Sequence, residues 1–72
     1  MRTSGIESLA DRELEVFQLV GRGRNSREIA TTLHLGETTI ETYRARIKEK
    51  LGIHTAAELY QRAAQWVSEQ GT

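Results

Sequence analysis

The chain has 72 residues, neither cysteine nor proline, and ten basic residues that cancel ten acidic ones. A chain this short makes one small domain, and without cysteine it has no disulfide framework and no thiolate metal site, so helices packed on a compact core must hold it together. No apolar run approaches the roughly 18 residues a membrane span requires and no signal-peptide pattern opens the chain, so a cytoplasmic protein without membrane contact is expected.

The neutral total conceals a polarised distribution. Residues 22–50 hold Arg22, Arg24, Arg27, Arg44, Arg46, Lys48 and Lys50 against Glu28, Glu37, Glu41 and Glu49, seven against four and a net +3. The rest holds Arg2, Arg12 and Arg62 against Glu7, Asp11, Glu13, Glu15, Glu58 and Glu69, three against six and a net −3. A polyanion meets the local field within a Debye length of roughly 8 Å, not the total.

In chain order, residues 1–7 lack periodicity and are expected to form a flexible tail ahead of a domain at 8–70. A helix is predicted over about 10–20, with Val16, Phe17 and Val20 on one side and Gly21 and Gly23 as its stop. Asn25 followed by Glu28 is a capping-box pattern that opens a second helix over about 26–33, with Ile29, Ala30 and Leu33 inward. His34-Leu35-Gly36 breaks it, Leu35 turning to the core and Gly36 serving as an N-cap with no side-chain acceptor. A third helix is predicted over about 37–51, ended by Gly52. Thr55 with Glu58 repeats the capping pattern and opens a fourth over about 56–68, with Ala56, Leu59, Tyr60, Ala63, Trp66 and Val67 as its core stripe. The expected fold is all-α: a compact four-helix domain.

Two helices joined by a three-residue turn make a helix-turn-helix, whose second helix enters the major groove of DNA. At 100° per residue, Ile40, Ile47 and Leu51 fall within about 40° of each other, and Tyr43 borders that stripe. The opposite face carries Thr38, Glu41, Thr42, Ala45, Arg46 and Glu49. Short side chains in its N-terminal half permit close approach to base edges. Glu41 can accept from the cytosine N4 amino group, the methyls of Thr42 and Ala45 can meet a thymine methyl, and Arg46 can reach a guanine or a phosphate. A carboxylate in the groove weakens non-specific binding while sharpening discrimination. Equally, Glu41 could pair with Lys48 or Arg44 on a solvated face.

Phosphate contacts are expected at the edges of that face: Ser26 and Arg27 at the start of the second helix, where backbone N–H groups are free, and Thr39, Tyr43, Lys48 and Lys50 along the third. Tyr43 serves equally well as a core-edge aromatic. Arg44 lies about 40° from Ile40 on the inward side, and Glu13 lies inward beside Phe17. An isolated buried charge is costly, so a structural Glu13–Arg44 ion pair is predicted, with Arg12 as competing partner for Glu13. Ala57, Gln61 and Ala64 lie off the core stripe of the fourth helix and could admit a second copy; they are also ordinary helix formers for a solvated face.

An enzyme is not expected. His34 and His54 lie in different joints, there is no cysteine, and no phosphate loop or nucleophile motif occurs, so no catalytic residue, metal or cofactor is assigned.

Leu9-Ala-Asp-Arg-Glu-Leu-Glu-Val-Phe17, Asn25-Ser-Arg-Glu-Ile-Ala30 and Thr39-Ile-Glu-Thr-Tyr-Arg-Ala-Arg-Ile-Lys-Glu-Lys-Leu-Gly52 resemble the LuxR-type helix-turn-helix, the output domain of NarL/FixJ response regulators, over about residues 8–68. The resemblance implies a recognition helix at 37–51, a dimer helix at 56–68 and a homodimer on paired half-sites in promoter DNA, with RNA polymerase as a further candidate partner. It implies base contact at Glu41, Thr42 and Ala45 and phosphate contact at Thr39, Tyr43 and Lys50. Glu41 and Ala45 stand where NarL-like readers often have lysines, and Ala10 and Gly36 where Ser or Thr commonly caps a helix. The first pair bears on the target sequence, the second on helix starts. A receiver domain ahead of these residues, or a stand-alone regulator of the GerE type, fits the resemblance equally. The competing readings are a helical protein-interaction module without DNA binding, favoured by Glu41, Glu49 and the neutral total, and a sigma-factor helix-turn-helix, against which the Leu9–Phe17 motif argues.

Overall fold

The computed structural model describes residues 5–70. Within them a 3-10 turn at Ile6–Ser8 precedes four helices: α1 (Asp11–Gly21), α2 (Ser26–Leu33), α3 (Glu37–Leu51) and α4 (Ala56–Glu69). No strand occurs among the described residues, and the fold class is all-α as expected. The boundaries of α2 and α3 fall where their caps predict. Helix α1 is displaced by one residue and α4 runs one residue further.

Local chemistry explains the starts. At α2, Asn25 Oδ1 accepts from Glu28 N–H at 2.9 Å and Glu28 returns the bond to Asn25 N–H at 3.0 Å, a complete capping box. At α4, Thr55 Oγ1 accepts from Glu58 N–H at 3.0 Å, but Glu58 returns to His54 N–H at 3.3 Å, one residue early. At α1 the N-cap is Ala10, which has no acceptor, so only the returning half exists: Ala10 N–H donates to Glu13 Oε1 at 2.9 Å. Ala10 is extended, at φ −68° and ψ 163°, so it stands as the cap and Asp11 is the first helical residue.

The first three helices end alike. Each closes with the paired six-to-one and five-to-two bonds of a Schellman motif: Arg24 to Leu19 and Gly23 to Val20 after α1, Leu35 to Ala30 and His34 to Thr31 after α2, Ile53 to Lys48 and Gly52 to Glu49 after α3. The residue at the left-handed position is glycine twice and His34, at φ 60°, once. Leu35 and Ile53, the apolar residues that follow, pack on the core, Ile53 at only 4% exposed.

The core consists of Val16, Phe17, Val20, Ile29, Ala30, Ile40, Ile47, Ile53, Leu59 and Ala63. Helix α1 lies most extensively against α4 and also packs on α3, which in turn holds α2. Phe17 and Trp66 cross at 5.8 Å between ring centroids, and Gly21 admits the Ala63 carbonyl so closely that a β-carbon would lie 2.4 Å from its oxygen. Two members of the expected α4 stripe, Ala56 and Tyr60, are exposed instead, because α1 covers only the Leu59–Ala63 side of the helix. Of the expected tail, residues 1–4 lie outside the described residues; Ile6 sits half-buried against the core and Ser8 closes the turn on the Gly5 carbonyl.

Candidate nucleic-acid interface

Helix α3 has two chemically distinct sides. Ile40 and Ile47 are wholly buried, with Tyr43 and Leu51 packed at the core margin. Thr38, Glu41, Thr42, Ala45, Arg46 and Glu49 are all exposed, and so is Thr39. The hydroxyl of Thr42 donates to the Thr38 carbonyl at 3.2 Å, so its donor is satisfied within the helix. Glu41 has no ion pair or hydrogen bond among the described residues, with either Lys48 or Arg44. Its carboxylate stands among the short side chains of Thr38, Thr42 and Ala45.

The flanks differ. Ser26 is half-buried and Arg27 exposed at the start of α2, while Lys48 is half-buried on one edge of the face. On the other edge, Lys50 turns inward: its ammonium lies 2.7 Å from Glu13 Oε1 and 3.1 Å from the Ser8 carbonyl. This corrects the expected Glu13–Arg44 pair. Glu13 is inward and paired, at 3% exposed, but its cation is Lys50; Arg12 pairs instead with Glu15 at 3.1 Å. Arg44 lies half-buried on the other flank of α3, facing Val20 and Tyr60 across an open cavity. The ammonium expected to meet a phosphate is thus also the one bonded to Glu13 and Ser8, with its side chain 37% exposed.

The Lys50 hydrogen bond holds the Glu13 carboxyl below the ordinary carboxylate range. Burial pushes the other way, and the Ala10 N–H together with the charges of Lys50 and Arg46 reinforces the lowering. One carboxylate oxygen thereby ties the first turn of α1 to the last turn of α3, and Ser8 adds the incoming chain to the same junction. Sequence reasoning missed Ser8 altogether, because a backbone carbonyl carries no residue-type signal.

On α4, Ala57 and Gln61 are exposed and Ala64 half-buried, next to Tyr60, which is the most open large apolar side chain among the described residues at 49%. No helix among the described residues is long and apolar enough to cross a membrane.

The family model described as bacterial regulatory proteins, luxR family, matches residues 7–63. The chain is 40% identical over 62 residues to the uncharacterized response regulatory protein YgeK of Escherichia coli K12, covering 86% of this chain and 42% of that protein. It is 44% identical over 55 residues to the transcriptional regulatory protein MctR of Rhizobium johnstonii, covering 76% and 26%. It is 38% identical over 56 residues to the response regulator UvrY of Escherichia coli K12, covering 78% and 26%. The chain thus spans between about a quarter and two fifths of the length of these relatives. No solved structure matches it significantly. The match over α1, α2, α3 and the first half of α4 takes in both the buried frame and the exposed face of α3, and the chain belongs to the luxR family of bacterial regulatory proteins.

Proposed function

We propose that this chain binds double-stranded promoter DNA in the cytoplasm and regulates transcription, with α3 inserted in the major groove. The observation that carries the reading is the division of α3: Ile40 and Ile47 fully buried, and Thr38, Glu41, Thr42, Ala45 and Arg46 exposed together on the other side. Two of three relatives named above are response regulators and the third is a transcriptional regulatory protein, which supports a role as the output domain of a two-component response regulator.

In this reading Glu41 accepts from cytosine N4, the methyls of Thr42 and Ala45 meet apolar base edges, and Thr38 and Arg46 complete base reading. Ser26, Arg27, Thr39, Tyr43 and Lys48 contact the flanking phosphates. Lys50 joins them through the donor that Glu13 and Ser8 leave unused. Two copies meet through α4 at Ala57, Gln61 and Ala64 beside the exposed Tyr60, placing two reading helices roughly 34 Å apart on paired half-sites. RNA polymerase is the further partner of such a regulator.

The test is selection from randomised duplex DNA, with affinities measured at two salt concentrations. Recovery of a repeated half-site containing a G·C pair, with loss of preference at that pair in Glu41→Ala, supports the reading in full. Recovery of a repeat indifferent to Glu41→Ala retains DNA binding and removes Glu41 from base contact. No enrichment and no salt-dependent binding leave the protein-interaction module, because only polyanion binding releases counterions in proportion to phosphates contacted.

A further inference from the structure

Arg24, in the α1–α2 joint, and Arg44, on α3, line one open cavity of about 520 Å³ whose other walls include Val20, Asn25, Ser26 and Tyr60. No carboxylate lines it. Neither guanidinium has an ion pair or hydrogen bond among the described residues. Arg44 is half-buried, so it has given up part of its hydration without a carboxylate or carbonyl in return, and a second guanidinium shares its cavity. Two like charges around one concavity favour an anion from outside the chain, and the planar guanidinium fork is suited to a phosphate.

The position of the cavity selects among anions. Around α3, Arg44 lies about 40° from Lys48 and about 60° from Glu41, so it occupies the shoulder of the exposed face. When α3 lies in a groove, its shoulders face the sugar-phosphate walls. We propose that Arg24 and Arg44 clamp a single backbone phosphate of duplex DNA on the Lys48 side of α3. The clamp rests on the DNA-binding reading above and adds to it a contact from a joint and from an inward-leaning arginine.

The test neutralises phosphates one at a time by ethylation in a duplex recovered by the selection described above. Affinities of the modified duplexes are compared between the wild-type chain and the double variant Arg24→Gln/Arg44→Gln. At one phosphate per half-site, ethylation weakens wild-type binding about tenfold and leaves the double variant unaffected. The slope of log K against log salt falls by about 1 for each half-site bound. Arg24 is exposed in a joint, so Arg24→Gln alone keeps the fold and shows a smaller loss at the same phosphate. Circular dichroism reports whether variants of Arg44 fold. An equal response of wild type and Arg24→Gln at every phosphate overturns the clamp even if overall affinity falls, since a diffuse loss of charge has no single address. A wild-type chain that binds no duplex at any salt overturns the DNA-binding reading and the clamp together; one that binds but shows no shared phosphate overturns the clamp alone.

Discussion

The ammonium of Lys50 lies 2.7 Å from Glu13 Oε1, across 37 residues of sequence, and the same oxygen accepts the Ala10 N–H at 2.9 Å. Glu13 is nearly inaccessible while the Lys50 side chain remains 37% exposed, so the two partners are not energetically equivalent. Glu13→Ala leaves the Ala10 N–H without its side-chain acceptor and removes the anchor of Lys50; a loss of about 1–2 kcal/mol is expected by urea unfolding. Lys50→Met strands a buried carboxylate and also destabilises. The double variant Glu13→Leu/Lys50→Met recovers part of the sum, because removing both charges removes the desolvation penalty with the attraction.

The same pair gives stability a pH dependence. The carboxyl of Glu13 is lowered in the folded state, chiefly by Lys50, from an ordinary value of 4.5. The unfolded chain therefore takes up the proton first as pH falls. The contribution is fully present above about pH 5 and is lost as pH drops through 4.5 toward the lower folded value. Urea midpoints measured across that range decline in the wild type, and Glu13→Gln lacks this component of the decline.

Gly21 sets how closely α1 and α4 approach. Added there, a β-carbon would meet the Ala63 carbonyl oxygen at 2.4 Å and its carbon at 2.7 Å, and both are backbone. Gly21→Ala forces the helices apart and is expected to cost about 2–3 kcal/mol, read as a lower thermal midpoint despite alanine's better helix propensity.

His34 holds a left-handed conformation, φ 60°, at the position where the matching motifs after α1 and α3 have Gly23 and Gly52. Its side chain is exposed and makes no hydrogen bond among the described residues. His34→Gly relieves the steric cost of a β-carbon at positive φ and is expected to raise stability by about 0.5–1 kcal/mol after the larger entropy loss of glycine is subtracted.

Glu41→Ala separates affinity from selectivity. Removing an unpaired carboxylate from the exposed face of α3 strengthens binding to duplexes that lack the selected pair, through reduced repulsion from phosphate. The preference for one base pair in the half-site falls at the same time, by about 1–3 kcal/mol of discrimination. Competition between selected and scrambled duplexes measures both.

The helices were legible where a residue type dictates geometry: Asn25 with Glu28, Gly52, and the Ile40–Ile47 stripe all act through chemistry that the sequence states outright. Glu13 was legible as an inward charge because it shares a helical face with Phe17. Its partner was not. A helical wheel gives angles around α3 but not which flank of the Ile40 stripe faces α1; Arg44 and Lys50 lie on opposite flanks, and the flexible stem of lysine adds reach that a wheel omits. The exposure of Tyr60 was hidden for a related reason, since an apolar stripe wider than the covering helix leaves its margin in solvent. Ile6 had no periodic neighbours to announce the turn that seats it.

The bond from Lys50 to the Ser8 carbonyl also has a mechanical meaning. Ser8 belongs to the turn through which the polypeptide arrives at the domain, and Lys50 belongs to the final turn of α3. A tether between them couples the two ends directly: a displacement of residues 6–8 pulls on the C-terminal end of that helix through a contact 42 positions later in the sequence.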